Sequence, residues 1–444
     1  MLRNGIRGRS ASAIASSIEA AIEAGKLPLD QRLPTIRDLA RNLEVSPVTV
    51  AAAYRLLRSR GLTVGEGRRG TILRRLGRAG LTNSRAARSP LGLVDLVTGN
   101  PDVAFLPAIG PALRSLDAGM RLYDGAAELP ALAAFAASEF EADGLPPGPV
   151  AVTHGSLDAI ERVLREHTRA GDHVAVEDPA FPALVDLLDS LGLTPAPFAV
   201  DDEGPVTESM ARAVAPRVAA VLVSLRAHNP TGAAISESRA SALTRVLRHR
   251  PRALVIELDD ASEVAGTAGS TLTKGRDRWA VVKSTSKWLG PDLRVAVMTG
   301  DRATIARVRR RQAVSVRWVS HLLQRLTLAL WSDPASGRLF ARAAEAYAER
   351  RQALLDALAA HDIAAHGRSG LNVWIPVREE TTTVQLLAER GWAVAAGERF
   401  RLRSAPAIRV TTSALLPADA RRFAADLAAA DQGHGANVKG HGHG

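Results

Sequence analysis

Between residues 150 and 283 short apolar runs alternate with longer amphipathic stretches, and few folds absorb that pattern. Val150-Ala151-Val152-Thr153 precedes a helix expected from about Leu157 to Thr168, and Val174-Ala175-Val176 one from about Ala183 to Leu191. The run from Val218 to Val223 precedes a helix expected from about Glu237 to Arg248, and Leu254-Val255-Ile256-Glu257-Leu258 and Trp279-Ala280-Val281-Val282-Lys283 follow. Strands buried on both faces read as unbroken apolar runs, and helices between successive strands make those strands parallel. The pattern predicts an α/β domain with a mostly parallel sheet and helices on both faces. Any ligand would sit at the C-terminal ends of the strands.

The start of the chain has another character. Residues 1–90 hold 17 Lys+Arg and 6 Asp+Glu, whereas the remainder balances at 40 of each against chain totals of 57 and 46. All the excess positive charge therefore lies at one end, where it would attract a phosphate backbone. Ile14, Ile18 and Ile22 recur at a spacing that gives a helix one apolar face. Thr35 with Asp38 makes a capping box for a helix through Leu43. Ser46 caps a further helix, with Pro47 at its first position, where a missing N–H costs nothing. Two short helices joined by a tight turn make a helix-turn-helix, whose second helix presents its first residues to base edges. Ser46 and Thr49 take that position, and Arg37, Arg55 and Arg58 are placed for phosphates. The Gly65–Thr71 stretch reads as a hairpin wing whose Arg68 and Arg69 would enter the minor groove.

These residues resemble the winged-helix domain of the GntR superfamily. The matching stretches are Leu33-Pro34-Thr35-Ile36-Arg37-Asp38-Leu39-Ala40, Val45-Ser46-Pro47-Val48-Thr49-Val50, Ala53-Tyr54-Arg55-Leu56-Leu57 and Gly67-Arg68-Arg69-Gly70-Thr71. Pro47 departs from the polar or basic residue more common there and removes one base contact. Domain limits follow: residues 1–73 form the DNA-binding domain, 74–92 a flexible arginine-bearing linker, 93–430 the α/β domain, and 431–444 a disordered Gly/His tail. Cysteine is absent, which excludes disulfides and thiolate metal sites, and no metal site is expected. With no long apolar run and no apolar leader at the start, a cytoplasmic protein with no membrane partner is expected.

Within the α/β region several residues fall at expected strand ends. Gly155-Ser156-Leu157 opens a helix whose free N–H groups favour a phosphate, and Ser284 and Arg294 flank Lys287 to complete such a grip. Phe181 offers an aromatic face, Asn229 an amide, and Lys287 an amine able to capture an aldehyde. In this order they resemble fold-type I pyridoxal-phosphate enzymes of the class I aminotransferase group, from Val94 to Thr411, with a small C-terminal α/β subdomain. The resemblance implies pyridoxal 5'-phosphate as cofactor and Lys287 as its covalent, catalytic lysine. Phe181 would stack on the ring, Asn229 would contact its 3′-oxygen, and Ser156, Leu157, Ser284 and Arg294 would hold the phosphate. Tyr123 would reach the neighbouring subunit's phosphate, and Arg409 would grip an effector carboxylate.

One stretch departs from that family. Where it shows Glu-Asp-Asp and then an aromatic residue, this chain reads Glu257-Leu258-Asp259-Asp260-Ala261. Either Leu258 takes the place of the ring-nitrogen acid, or a one-residue slip puts Asp259 there. Chemistry favours Asp259. Strand alternation sends the two side chains to opposite faces.

A winged helix fused to such a domain resembles the MocR subfamily of bacterial transcription regulators. The resemblance implies a homodimer on repeated half-sites of double-stranded DNA. It also implies pyridoxal phosphate, an amine or an amino acid as effector, and a role in vitamin B6 or amino-acid metabolism. The alternative is an active aminotransferase with an accessory DNA-binding domain, against which the altered 257–261 stretch argues.

Overall fold

The computed structural model describes residues 6–24, 26–27, 32–59, 63–65, 71–73, 93–117, 119, 122–123, 125–214 and 218–439. The chain divides into two compact units, one holding residues 1–86 with 169–172 and 183–194, the other the remainder. The expected linker, 74–92, lies outside the described residues.

The first unit contains helices α1 (Ala11–Glu23), α2 (Ile36–Leu43) and α3 (Pro47–Ser59) and the antiparallel strands β1 (Thr63–Gly65) and β2 (Thr71–Leu73). The capping box forms: Thr35 accepts from the Asp38 N–H at 3.2 Å and donates to its carboxylate at 2.6 Å. Ser46 caps α3 by accepting from the Thr49 N–H at 3.1 Å. Ile14, Ile18, Leu39, Val50, Leu57 and Leu73 pack into a common core. The Tyr54 hydroxyl donates to the Pro34 carbonyl at 2.7 Å and ties α3 to the segment before α2.

The second unit opens with β3 (Val94–Leu96) and is built on eight more strands: β4 (Val150–Thr153), β5 (His173–Asp178), β6 (Thr194–Asp201), β7 (Gly204–Pro205), β8 (Val218–Ser224), β9 (Leu254–Asp259), β10 (Trp279–Ser284) and β11 (Ala296–Gly300). These eight form one sheet in the order β4-β11-β10-β9-β8-β5-β6-β7. The inner pairs β5/β8, β8/β9 and β9/β10 are parallel, as the apolar runs required. β11 is antiparallel to both its neighbours, because the link from β10 is too short for a crossover back to the same end.

The helices that follow in the chain are α4 (Ile109–Ser115), α5 (Pro130–Ala142), α6 (Ser156–His167), α7 (Pro182–Ser190), α8 (Thr207–Ala213), α9 (Glu237–Arg248), α10 (Arg302–Ala313), α11 (His321–Trp331) and α12 (Pro334–Ala359). Helices α5, α11 and α12 bury Leu132, Phe140, Leu330 and Phe340 against Val152, Val281 and Val297. Helix α9 buries Leu243 and Leu247 against Val221, Val223 and Val255. Helices α6 and α10 pack against each other and against β10 and β11.

A smaller sheet, β12 (Asn372–Pro376), β13 (Trp392–Ala396) and β14 (Ala407–Thr411), takes β3 as its edge in the order β12-β14-β13-β3. Helices α12, α13 (Glu380–Glu389) and α14 (Pro417–Lys439) cover it through Leu354, Leu358, Leu387, Phe423 and Leu427. α14 carries the helix through residues 431–439, where a disordered tail was expected. Its anchored, alanine-rich first part supplies the nucleus, and adding further turns is then cheap. Among the described residues no helix is long and apolar enough to cross a membrane.

Candidate functional site

Lys287 follows the end of β10 and is fixed by its neighbours. Thr285 donates its hydroxyl to the Val295 carbonyl at 2.8 Å, and the Trp288 indole donates to the Ser284 carbonyl at 2.9 Å. Trp288 is fully buried against Trp331 and Phe340. The Lys287 ammonium donates to the Gly99 carbonyl at 2.6 Å. Gly99 belongs to the turn after β3, which Asp95 holds by accepting from the Val97 and Thr98 N–H groups at 2.9 and 3.2 Å. Burial lowers the Lys287 pKa; Asp260 opposes that shift and Arg409 adds to it. A lysine with a depressed pKa keeps more of its amine in the nucleophilic form.

Ser156 and Leu157 open α6, where Gly155 stands at the cap and no side chain caps the first N–H groups. Gly155 has φ +86, and a Cβ there would lie 2.8 Å from Nη2 of Arg294, so only glycine lets the guanidinium lie across the helix start. Free N–H groups beside an arginine make an anion cup. Ser284 ends β10 and shares a hydroxyl contact of 2.9 Å with Ser286.

On the opposite side of the site Asn229 accepts from Arg409 Nη1 at 3.1 Å, and Nη2 of Arg409 donates to the Val97 carbonyl. The guanidinium lies 4.9 Å from the Phe400 ring, while its Nε is buried without a partner. Burial lowers the Arg409 pKa to about 10, with Arg399 adding to the shift and Asp95 opposing it, so the group stays charged. Gly232 closes the Asn229-Pro230-Thr231-Gly232 turn at φ +70, packed so that a Cβ would meet the Asn372 carbonyl at 2.7 Å. Behind that turn the buried His228 places Nε2 3.3 Å from a Glu177 carboxylate oxygen. Phe181 is 37% exposed, on a loop held by the Ala180 N–H donating to the Phe400 carbonyl at 2.8 Å.

The expectation that Asp259 meets the pyridine nitrogen is overturned. In the parallel ladder Asp259 pairs with Lys283, and Leu258 with Val282 and Ser224, so Leu258 shares the face of Ser284 and Asp259 points the other way. Asp259 takes Nε and Nη2 of Arg226 at 3.0 and 2.7 Å and the Ser262 N–H at 3.0 Å. Its pKa lies below the usual range: burial raises it, but Arg226, Lys283 and its hydrogen bonds outweigh that. Arg226 also binds Asp143, and Asp143 binds the buried Lys283, so Asp259 belongs to an ion network behind the sheet. The site acquires Asp260 instead, beside Ser156, Lys287 and Arg294. The strand's alternation, continued one residue past β9, was the signal for it. Tyr123 is not brought to Lys287 within the chain. It stands 78% exposed, 5.8 Å from the Trp318 ring and under the Arg317 guanidinium. With His154, Ser315, Val316 and Ser320 these residues line a cavity of about 850 Å³.

The residues fit pyridoxal phosphate. A phosphate has the α6 N–H groups, Ser156 and Arg294, an aldehyde has Lys287, and a carboxylate has the unpartnered Nε of Arg409. Where the family resemblance implies an acid for the ring nitrogen, the chain would present Leu258.

In the first unit Arg37, Ser46 and Thr49 lie at the helix-turn-helix, with the Ser46 and Thr49 hydroxyls 2.9 Å apart. Val48, 72% exposed beside them, is an apolar surface of the kind a thymine methyl can contact, and its apolar type gave no signal of such a role. Arg55 and Arg58 lie on α3 with side chains outside the described set, and Arg68 and Arg69 lie outside the described residues.

The chain matches the family described as aminotransferase class I and II over residues 95–427 and bacterial regulatory proteins, gntR family, over residues 10–73. It is 38% identical over 428 residues, 95% of this chain and 98% of the relative, to the vitamin B6 salvage pathway transcriptional repressor PtsJ of Salmonella typhimurium strain LT2. Among solved structures it is similar to multiple substrate aminotransferase from Thermococcus profundus, with a TM-score of 0.71 at 17% identity, covering 78% of this chain and 93% of that one. It is also similar to LysN, the α-aminoadipate aminotransferase of Thermus thermophilus, complexed with N-(5'-phosphopyridoxyl)-L-leucine. There the TM-score is 0.68 at 20% identity, covering 79% and 95% of the two chains.

Proposed function

Because the chain belongs to the aminotransferase class I and II family and carries a gntR-type winged helix ahead of that domain, we propose that it is a DNA-binding transcriptional regulator responsive to pyridoxal phosphate. Its targets are genes of vitamin B6 metabolism, and it works in the cytoplasm as a homodimer whose two heads read repeated half-sites. The observation that carries this reading is the retention of Lys287, the Gly155–Arg294 cup and Arg409 around a ring position where Leu258 replaces an acid.

Pyridoxal phosphate supplies a carbonyl for reversible covalent capture and a ring that can act as an electron sink when its nitrogen is protonated. The α6 N–H groups and Arg294 would hold the phosphate, and Lys287, its pKa lowered by burial, would meet the aldehyde. Asn229 is fixed by Arg409 for the ring's oxygen. Leu258 cannot stabilise a proton on the ring nitrogen, so the site retains capture and loses most of the electron-sink chemistry. Tyr123, exposed on its own chain, is left for the second protomer's phosphate.

The test is the visible absorbance of purified protein with added pyridoxal phosphate. A saturable band, absent in Lys287→Ala, supports the reading; no band refutes it. Turnover of amino acids with 2-oxoglutarate at ordinary enzyme rates of about 1 s⁻¹ or more would replace the regulator with a working aminotransferase.

A further inference from the structure

The carboxyl of Asp260 stands beside donors that an incoming phosphate needs. Past the end of β9 the alternation returns Asp260 to the face of Leu258 and Ser284, while Asp259 between them turns to Arg226. Ser156, Lys287 and Arg294 are its neighbours, and one of its oxygens is buried without any partner. Burial pushes its pKa up; the Ser156 hydroxyl and Lys287 pull it down, Asp259 raises it, and Arg294 lowers it. The same serine and arginine form the anion cup at the start of α6.

We propose that Asp260 sets the affinity of this site for phosphate esters: its carboxylate stands beside the Ser156–Arg294 cup, and an entering phosphate must overcome its repulsion. This rests on the reading that pyridoxal phosphate is the ligand. Two anions in one poorly solvated cup repel, so phosphate entry requires Asp260 to swing away or take up a proton, and either costs affinity. An enzyme that keeps its cofactor permanently has no use for such a competitor. A receptor that reports a concentration must release its ligand, and a built-in carboxylate makes occupancy reversible. The competition acts only on ligands that carry the phosphate.

That selectivity is the test. Full-length wild type and Asp260→Asn, the neutral isostere, are titrated with pyridoxal phosphate and with pyridoxal, following the visible band. The affinity ratio of pyridoxal phosphate to pyridoxal should rise about tenfold or more in Asp260→Asn. An unchanged ratio, an equal gain for both ligands, or a loss for pyridoxal alone would overturn the proposal, the last placing Asp260 against the ring or lysine. A second arm uses inorganic phosphate with Lys287→Ala and with Lys287→Ala combined with Asp260→Asn. The phosphate concentration giving half-maximal thermal stabilisation should fall by a similar factor in the double variant, and no fall overturns the proposal. This arm needs no covalent capture, so failure of the wild type to bind pyridoxal phosphate refutes the regulator reading separately.

Discussion

Arg294 lies across Gly155 so closely that a Cβ on residue 155 would come within 2.8 Å of Nη2. A side chain at residue 155 would push the Arg294 guanidinium aside, so even a substitution that leaves charge and polarity unchanged should disturb the cup. Gly155 has φ +86 and ψ 171, a backbone region essentially reserved for glycine. Gly155→Ala should destabilise the fold by about 1–3 kcal/mol and weaken pyridoxal phosphate binding more than about tenfold. Thermal melting and titration of the visible band check the two effects; unchanged binding would remove Arg294 from the phosphate.

Leu258 faces the site and Asp259 does not, so an acid can be restored by one change. Leu258→Asp should raise transamination of amino acids with 2-oxoglutarate above the wild-type rate. It should also cost about 1–3 kcal/mol of stability through burial of a carboxyl. Single-turnover rates and urea melts measure both. No gain in rate would mean that the ring nitrogen lies elsewhere.

Burial pushes the Glu177 carboxyl from 4.5 to about 8, against the two hydrogen bonds from Ser224 that favour its charged form. Its neighbour His228 is pushed from 6.5 down to about 3 by burial, so the imidazole is neutral at pH 7. The folded state holds the Glu177 proton more tightly than the unfolded chain does. That contribution is full below about 4.5 and is lost as pH rises through about 8. His228 works in the other direction: its contribution is full above about 6.5 and is lost as pH falls towards 3. Glu177→Gln, uncharged at every pH, should flatten the alkaline limb while leaving the acid limb in place. Denaturant melts from about pH 5 to about pH 9 decide it, and an unaltered alkaline limb would contradict the assignment.

Arg37 is exposed on α2 of the head and is assigned to a phosphate. Arg37→Ala should weaken binding to cognate and unrelated DNA about equally and reduce the slope of log affinity against log salt by about 1. Fluorescence anisotropy at several salt concentrations gives the slope. A loss confined to the cognate sequence would make Arg37 a base reader instead.

The central strands were legible in the sequence because β4, β5, β8, β9 and β10 are largely buried on both faces and read as apolar runs. Strand β6, one in from the edge strand β7, did not stand out, since Pro195 and Pro197 interrupt a half-exposed stretch. β11 was missed because no helix separates it from β10. In the site, residue type pointed to Lys287, Asn229 and Arg409, which the fold brings to one place, as their chemistry has few substitutes. It failed at Asp259, where a suitable functional group outweighed the alternation that turns it to Arg226. The same alternation, continued one residue past β9, carries Asp260 to the site. Tyr123, exposed on its own chain, has a role that one chain does not complete.

In the proposed regulator, capture of an aldehyde by Lys287 alters the grip on DNA. The direct measurement is the affinity of the full-length protein for its own promoter fragment at fixed salt, with and without saturating pyridoxal phosphate, in wild type and Lys287→Ala. The affinity should change by about fivefold or more in the wild type and not at all in the variant. An affinity indifferent to pyridoxal phosphate in the wild type, or an equal response in Lys287→Ala, would contradict it.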